Sequence, residues 1–281
     1  MLQPALPKIV FSDIDGTLLN GHRQLSATTI QTIRGITAAY GVHFILVSAR
    51  MPKAMQVLYD ELHLNTPIIC YNGALTLENM VNGYTTQKKI CSESIDPSVS
   101  LSIYNYTLES NLHFGLYSNN SWFVSKNDKW TEREENNTCV KAALAGSMPS
   151  IISQLAGTGE PIHKLMVMGN PIEIDRLLSS ISLEDSKKIA LYRSKETYLE
   201  VSPAQSSKAK ACSMLLDYLN LKPEEAIAFG DNLNDMEMLR LVGIGVAMGN
   251  ASEEVKLHAD RTAPPNTEDG VAVVLAEYFR I

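Results

Sequence analysis

The sequence predicts an α/β protein with a Rossmann-like parallel-sheet core and an inserted α+β cap domain. Three observations carry this reading. Short apolar runs alternate with helical segments from Ile9 to Cys70, the same alternation returns from Lys208 onward, and the stretch between them has a different character. Strands joined in sequence by helices need right-handed crossovers and so lie parallel in one sheet.

The elements follow in order. Ile9-Val10-Phe11 is brief and apolar, fits a strand buried on both faces, and ends at Ser12-Asp13. Ser26 is a suitable N-cap for a helix with Ile30, Ile33 and Ile36 at helical spacing, and Gly41 a suitable stop. Val42 to Val47 predicts a second strand, Pro52 to Leu62 a helix with Pro in its first turn, and Pro67 to Cys70 a third buried strand. At the far end, Lys208 to Leu219 is a helix, Ala226 to Phe229 a strand, Leu233 to Leu241 a helix, Ile244 to Val246 a strand and Asp269 to Tyr278 a closing helix.

The middle is more amphipathic. Asp96-Pro97 opens a helix, and Asn119-Asn120 is a hairpin turn between His113 to Tyr117 and Trp122 to Val124. Asp128 to Leu144 reads as an exposed helix, His163 to Met168 as a strand, and Asn170-Pro171 as the start of a helix ending near Ile181. Ile189 to Tyr192 and Tyr198 to Val201 are two further strands. The expected division is therefore a discontinuous core, residues 1–84 and 202–281, around a cap of residues 85–201. His113, His163 and the Trp122-Phe123 pair are expected to serve the cap's structure.

The 281 residues are 45% hydrophobic and carry a formal net charge of −7, which suits a globular protein and disfavours a nucleic-acid partner. Four cysteines, Cys70, Cys91, Cys139 and Cys212, lack zinc-site or disulfide-framework spacing. With neither a signal-peptide pattern nor a run long enough to span a membrane, the expected address is the cytoplasm. Oligomeric state is not readable from the sequence.

Chemistry concentrates at strand ends. Asp13-Ile14-Asp15-Gly16-Thr17-Leu18-Leu19 directly follows the first strand, where open α/β sheets bind ligands. One carboxylate of such a pair can act as nucleophile and metal ligand while the other handles protons. Gly230-Asp231-Asn232-Leu233-Asn234-Asp235 follows another buried strand, and hard oxygen donors of this kind suit magnesium. Each block alone could be a solvated capping turn; two in one sheet make coincidence harder to maintain. Ser48, after the second strand, and Lys208, opening a late helix, could hold a phosphoryl group, although in isolation each reads as an ordinary cap or surface residue.

With these four pieces in this order, the chain resembles the haloacid dehalogenase-like hydrolase superfamily, specifically its Cof-like phosphatases. The resemblance covers nearly the whole chain and extends to Tyr71-Asn72-Gly73-Ala74 and Val246-Ala247-Met248-Gly249-Asn250-Ala251. It implies a Mg2+-dependent phosphatase acting on a small phosphorylated metabolite through an aspartyl-phosphate. Asp13 is then the nucleophile and Asp15 the general acid and base. Ser48, Lys208 and Asn234 contact phosphate, and the metal is held by Asp13, Asp231, Asp235 and the main-chain carbonyl of Asp15. Arg50, Asn72 and Gly73 are candidate substrate contacts, and a structural ion pair is the other reading of Arg50. The chain has Ser48-Ala49-Arg50 where the family usually has Thr-Gly-Arg, and Ala209 after Lys208 where Gly is frequent. These departures bear on substrate preference. The same motifs also fit a phosphosugar mutase or phosphotransferase, and a non-catalytic phosphometabolite sensor is a reading of a different class.

Overall fold

A computed structural model of the chain describes residues 6–79 and 88–279. The chain forms two compact units. One comprises Met1–Ala49, Met55–Ile90 and Ser207–Ile281, and the other Arg50–Ala54 with Cys91–Ser206. The boundary expected at residues 84 and 85 lies outside the described residues.

The first segment runs β1 (Ile9–Ser12), α1 (Ala27–Tyr40), β2 (His43–Leu46), α2 (Pro52–Leu62), β3 (Ile68–Cys70), β4 (Leu75–Leu77) and β5 (Lys89–Ser92). The middle runs α3 (Pro97–Glu109), β6 (His113–Ser118), β7 (Ser121–Val124), α4 (Lys129–Thr138), β8 (Ala143–Leu144), α5 (Met148–Thr158), β9 (Lys164–Met168), α6 (Pro171–Ser180), β10 (Ile189–Lys195) and β11 (Tyr198–Pro203). The last segment runs α7 (Lys208–Leu219), β12 (Ala226–Gly230), α8 (Met236–Leu241), β13 (Ile244–Ala247), α9 (Glu253–Lys256), β14 (Arg261–Thr262) and α10 (Gly270–Phe279).

The first unit is built on a five-stranded sheet in the order β14-β13-β12-β1-β2, parallel throughout. The register pairs Ile9 with Ala226 and Ser12 with Phe229, so β1 and β12 end side by side. All residues of β1 and β12 are buried, as expected of strands covered on both faces. Ile9, Phe11, Ala226, Ala228 and Ile45 share a core with Cys212, Leu215 and Leu216 of α7 and Met238 and Leu239 of α8. The α1 caps form as the sequence predicts: Ser26 accepts from the Thr29 N–H, and Gly41 takes a left-handed conformation. The third strand departs from expectation. β3 pairs antiparallel with β4 in a separate small sheet and meets the β2 end through a parallel Val47–Ile69 bridge.

The second unit carries a six-stranded sheet in the order β10-β11-β9-β6-β7-β8, antiparallel except for β7 with β8. Alternation sorts its side chains. Phe114, Leu116, Leu165, Val167, Leu199 and Val201 point to one face and form a core with α3, α5 and α6. One sequence reading is corrected here. The helix expected over 128–144 stops at Thr138, where Cys139 is left-handed, and the chain resumes as β8. Trp122 and Phe123 both pack within this unit, on opposite faces of the sheet: Phe123 with the helices, and Trp122, buried, stacked on Tyr117 at 5.5 Å. No helix among the described residues is long and apolar enough to cross a membrane.

Candidate active site

The site stands where β1 and β12 end together. Asp13 follows β1 and donates its N–H to the Phe229 carbonyl in β12, which locks the two acidic loops at one level. Lys208, the first residue of α7, points inward and is only 2% exposed. Its Nζ lies 2.5 Å from Asp13 Oδ1 and 2.6 Å from Asp235 Oδ1. Asp235 is fully buried, and its Oδ2 accepts the backbone N–H groups of Asp231 and Asn232, each at 3.0 Å. Asp235 thus braces both Lys208 and the loop that carries Asp231. Thr17 donates its hydroxyl to Asp231 Oδ1 at 2.8 Å and orients that carboxylate.

Carboxylate oxygens of Asp13, Asp231 and Asp235 approach one another within 4.8 Å. Three carboxylates around one ammonium leave buried negative charge uncompensated, and the electrostatics register it. Burial, with the charges of Asp235 and Asp231, pushes the Asp13 carboxyl well above the usual carboxylate range despite the opposing pull of Lys208. Asp231 is raised for the same first reason, burial, only partly relieved by its bond from Thr17. Burial pulls Lys208 down, but Asp13 and Asp235 more than offset it, so the ammonium keeps its proton. A divalent cation taking hard oxygen donors is the group this charge pattern fits.

The other candidates fall into place unevenly. Asp15 is exposed, and its side chain is not one of the three converging carboxylates. Ser48 is buried at the end of β2; its N–H bonds the Ile69 carbonyl and its own carbonyl accepts from Asn72 N–H at 2.9 Å. Asn72 in turn accepts from Asn234 Nδ2 at 3.0 Å, so Ser48, Asn72 and Asn234 form one connected rim. Gly73 packs by its backbone against the start of α7. Its φ is +97°, and a Cβ there would stand 2.3 Å from the Ser207 carbonyl at the start of α7. Arg50 is half-buried and falls in the second unit. Thr17 was part of a recognised block, but nothing in the sequence signalled its bond to a residue 214 positions away.

A family model of the haloacid dehalogenase-like hydrolases matches residues 10–275, and the chain belongs to that family. It is 34% identical over 277 residues to a Haemophilus influenzae protein with a provisional phosphatase name, covering 97% of this chain and 98% of that one. It is 27% identical over 283 residues to the 5-amino-6-(5-phospho-D-ribitylamino)uracil phosphatase YitU of Bacillus subtilis, with 98% of each chain covered. A haloacid dehalogenase-like hydrolase of Bacteroides thetaiotaomicron has the same fold, with a TM-score of 0.87 at 26% identity over 96% of this chain and 99% of that one. The chain is an enzyme of this superfamily, and its named relatives mark it as a phosphoric monoester hydrolase.

Proposed function

We propose that the protein is a Mg2+-dependent phosphatase that hydrolyses a small phosphorylated metabolite through an aspartyl-phosphate on Asp13. The observation that carries this reading is the buried Asp13 carboxylate held 2.5 Å from Lys208 beside Asp231 and Asp235. Magnesium held by Asp13, Asp231, the Asp15 carbonyl and, directly or through water, Asp235 would neutralise phosphate charge and keep Asp13 ionised.

Each residue then has a task. Asp13 attacks phosphorus while the bond to the leaving oxygen breaks, and Asp15 gives that oxygen its proton. Asp15 next takes a proton from water as the water oxygen attacks the phosphorus of the aspartyl-phosphate, which releases inorganic phosphate and restores Asp13. Lys208 offsets charge on the transferred group, and Ser48 and Asn234 hold its oxygens. Asp15 suits the proton role because it is exposed while Asp13 is buried, so it can meet both leaving group and water.

The second unit we assign to substrate selection. On its sheet face opposite the helical core it carries Tyr117, Trp122, Lys164 and Glu200, all buried, so the residues that meet a substrate are to be sought elsewhere on the unit. The named substrate of YitU is a phosphorylated ribitylaminouracil. The four cysteines are all free, which favours the cytoplasm.

The test is phosphate release from a panel of phosphorylated metabolites, with and without Mg2+, alongside Asp13→Asn. Release that needs the metal and disappears in the variant is expected. Full-rate hydrolysis by contaminant-free Asp13→Asn would sink the mechanism. A rearranged phosphate ester in place of free phosphate would make the protein a mutase.

A further inference from the structure

The loop carrying Asp15 is held from a side that the proposed chemistry does not use. Within the loop, the Ile14 carbonyl accepts the N–H groups of Leu18 and Leu19 at 3.1 and 3.0 Å. One flank leans on the acid cluster: Gly16, at φ +92°, packs so closely on Asp231 that a Cβ would stand 2.4 Å from its Oδ2, and Thr17 bonds the same carboxylate. The other flank is gripped by two asparagines from the far end of the chain. Asn250, beyond β13, donates Nδ2–H to the Gly16 carbonyl at 2.8 Å. Asn266, beyond β14, donates Nδ2–H to the Leu19 carbonyl at 2.7 Å. The two are themselves joined, because the Asn266 N–H donates to Asn250 Oδ1 at 3.0 Å.

The grip has a firm base. Met248 N–H donates to the Gly230 carbonyl, and Ala263 N–H to the Ala247 carbonyl, so both asparagines stand on extensions of the parallel sheet. Asp13 does not depend on them, since Lys208 and the β12 backbone hold it. Loosening the grip would act first on the loop at Gly16 and Leu19, while Lys208 and the β12 backbone still hold Asp13.

We propose that Asn250 and Asn266 are positioning residues that fix the Asp15 loop for proton transfer to the leaving group. The inference rests on the assignment of Asp15 as the general acid. An acid displaced by a fraction of an ångström forfeits part of its contribution, which for general acid catalysis is typically about 10²–10⁴-fold. The need for an acid depends on the leaving group. An alkoxide must be protonated as it departs, whereas p-nitrophenolate leaves well without a proton.

The experiment compares Asn250→Ala and Asn266→Ala with the native enzyme on an alkyl phosphate and on p-nitrophenyl phosphate. Asn250→Asp serves as a gentler variant that keeps the acceptor for Asn266 N–H and loses the donor to Gly16. The expected result is a loss of about tenfold in kcat/KM on the alkyl ester, the quantity that reports the first transfer and the departure of the leaving group, with a markedly smaller loss in kcat/KM on p-nitrophenyl phosphate. Amide exchange at Leu18 and Leu19 is expected to quicken in each variant. Equal losses in kcat/KM on both esters, no loss on either, or unchanged exchange at these amides would each overturn the proposal. A native enzyme inactive on both esters would count against the phosphatase reading instead, and the exchange measurement would still decide whether the asparagines hold the loop.

Discussion

The two units each bury a lysine beside carboxylate, and they do so to different ends. In the first, Lys208 lies 2.5 and 2.6 Å from Asp13 and Asp235, where two parallel strands end together. In the second, Lys164 opens the central strand β9, 3.8 Å from Glu200, and leans on the Tyr117 ring at 4.6 Å. A parallel sheet delivers the ends of its strands, and the loops that follow, to one edge, so acids distant in sequence converge there. An antiparallel sheet sends successive loops to opposite edges and spreads its polar residues over a face. Topology, more than composition, therefore decides which buried charges act together.

Exchanging the lysines tests this contrast, and the largest effect is expected at Lys208. Lys208→Met removes the cation between two buried carboxylates and should lower kcat by about 10²–10³-fold, the usual cost of deleting one preorganised charge-stabilising donor. Circular dichroism and urea unfolding must show a folded variant for the loss to count as chemical. Retention of native kcat would break the comparison at its strongest point. Lys164→Met should act on stability. It strands Glu200, whose Oε2 already lacks a hydrogen bond, and should cost about 1–3 kcal/mol in urea unfolding. Its kcat on p-nitrophenyl phosphate should stay of native order, and a loss matching that of Lys208→Met would erase the distinction between the units.

The same contrast explains what could be read in advance. The acidic blocks were legible because each follows a short apolar run, and position at a strand's end is itself a chemical statement. Lys208 was not: a lysine opening a helix looks like surface, and only resemblance to a family gave it a role. β3 was misplaced because an apolar run such as Ile68–Cys70 carries no mark of direction or partner. The helix at Met148–Thr158 was missed because Pro149 and two later serines mask its apolar face, although Ser147 caps it. The helix before it is shorter than its sequence suggests because Cys139 ends it in a left-handed conformation usually signalled by glycine. Bonds such as Thr17–Asp231 and Asn250–Gly16 join positions more than 200 residues apart, and no local pattern can announce them.

The smallest expected effect concerns a buried titratable group in the second unit. His113 is 1% exposed in β6, with Nδ1 3.0 Å from Asp128 Oδ1 but without hydrogen-bond alignment. That oxygen is already occupied: it caps α4 by accepting the Trp130 and Thr131 N–H groups. Burial accordingly lowers the His113 pKa, and the pull of Asp128 does not offset it. The sign follows. Above the unfolded-state value, near 6.5, neither state binds the proton and stability is unaffected. As pH falls below that value, the unfolded chain takes up a proton that the folded protein refuses, and stability is lost until the folded-state pKa is passed. The slope from this one group is at most about 1.4 kcal/mol per pH unit. Urea unfolding between pH 7 and pH 5 should therefore fall less steeply for His113→Gln than for the native protein, while kcat keeps its pH profile. Parallel stability slopes would mean that His113 takes up its proton in the fold as readily as in the unfolded chain. The second unit would then hold a compensated ion pair, and the contrast with the Lys208 cluster would narrow to geometry alone.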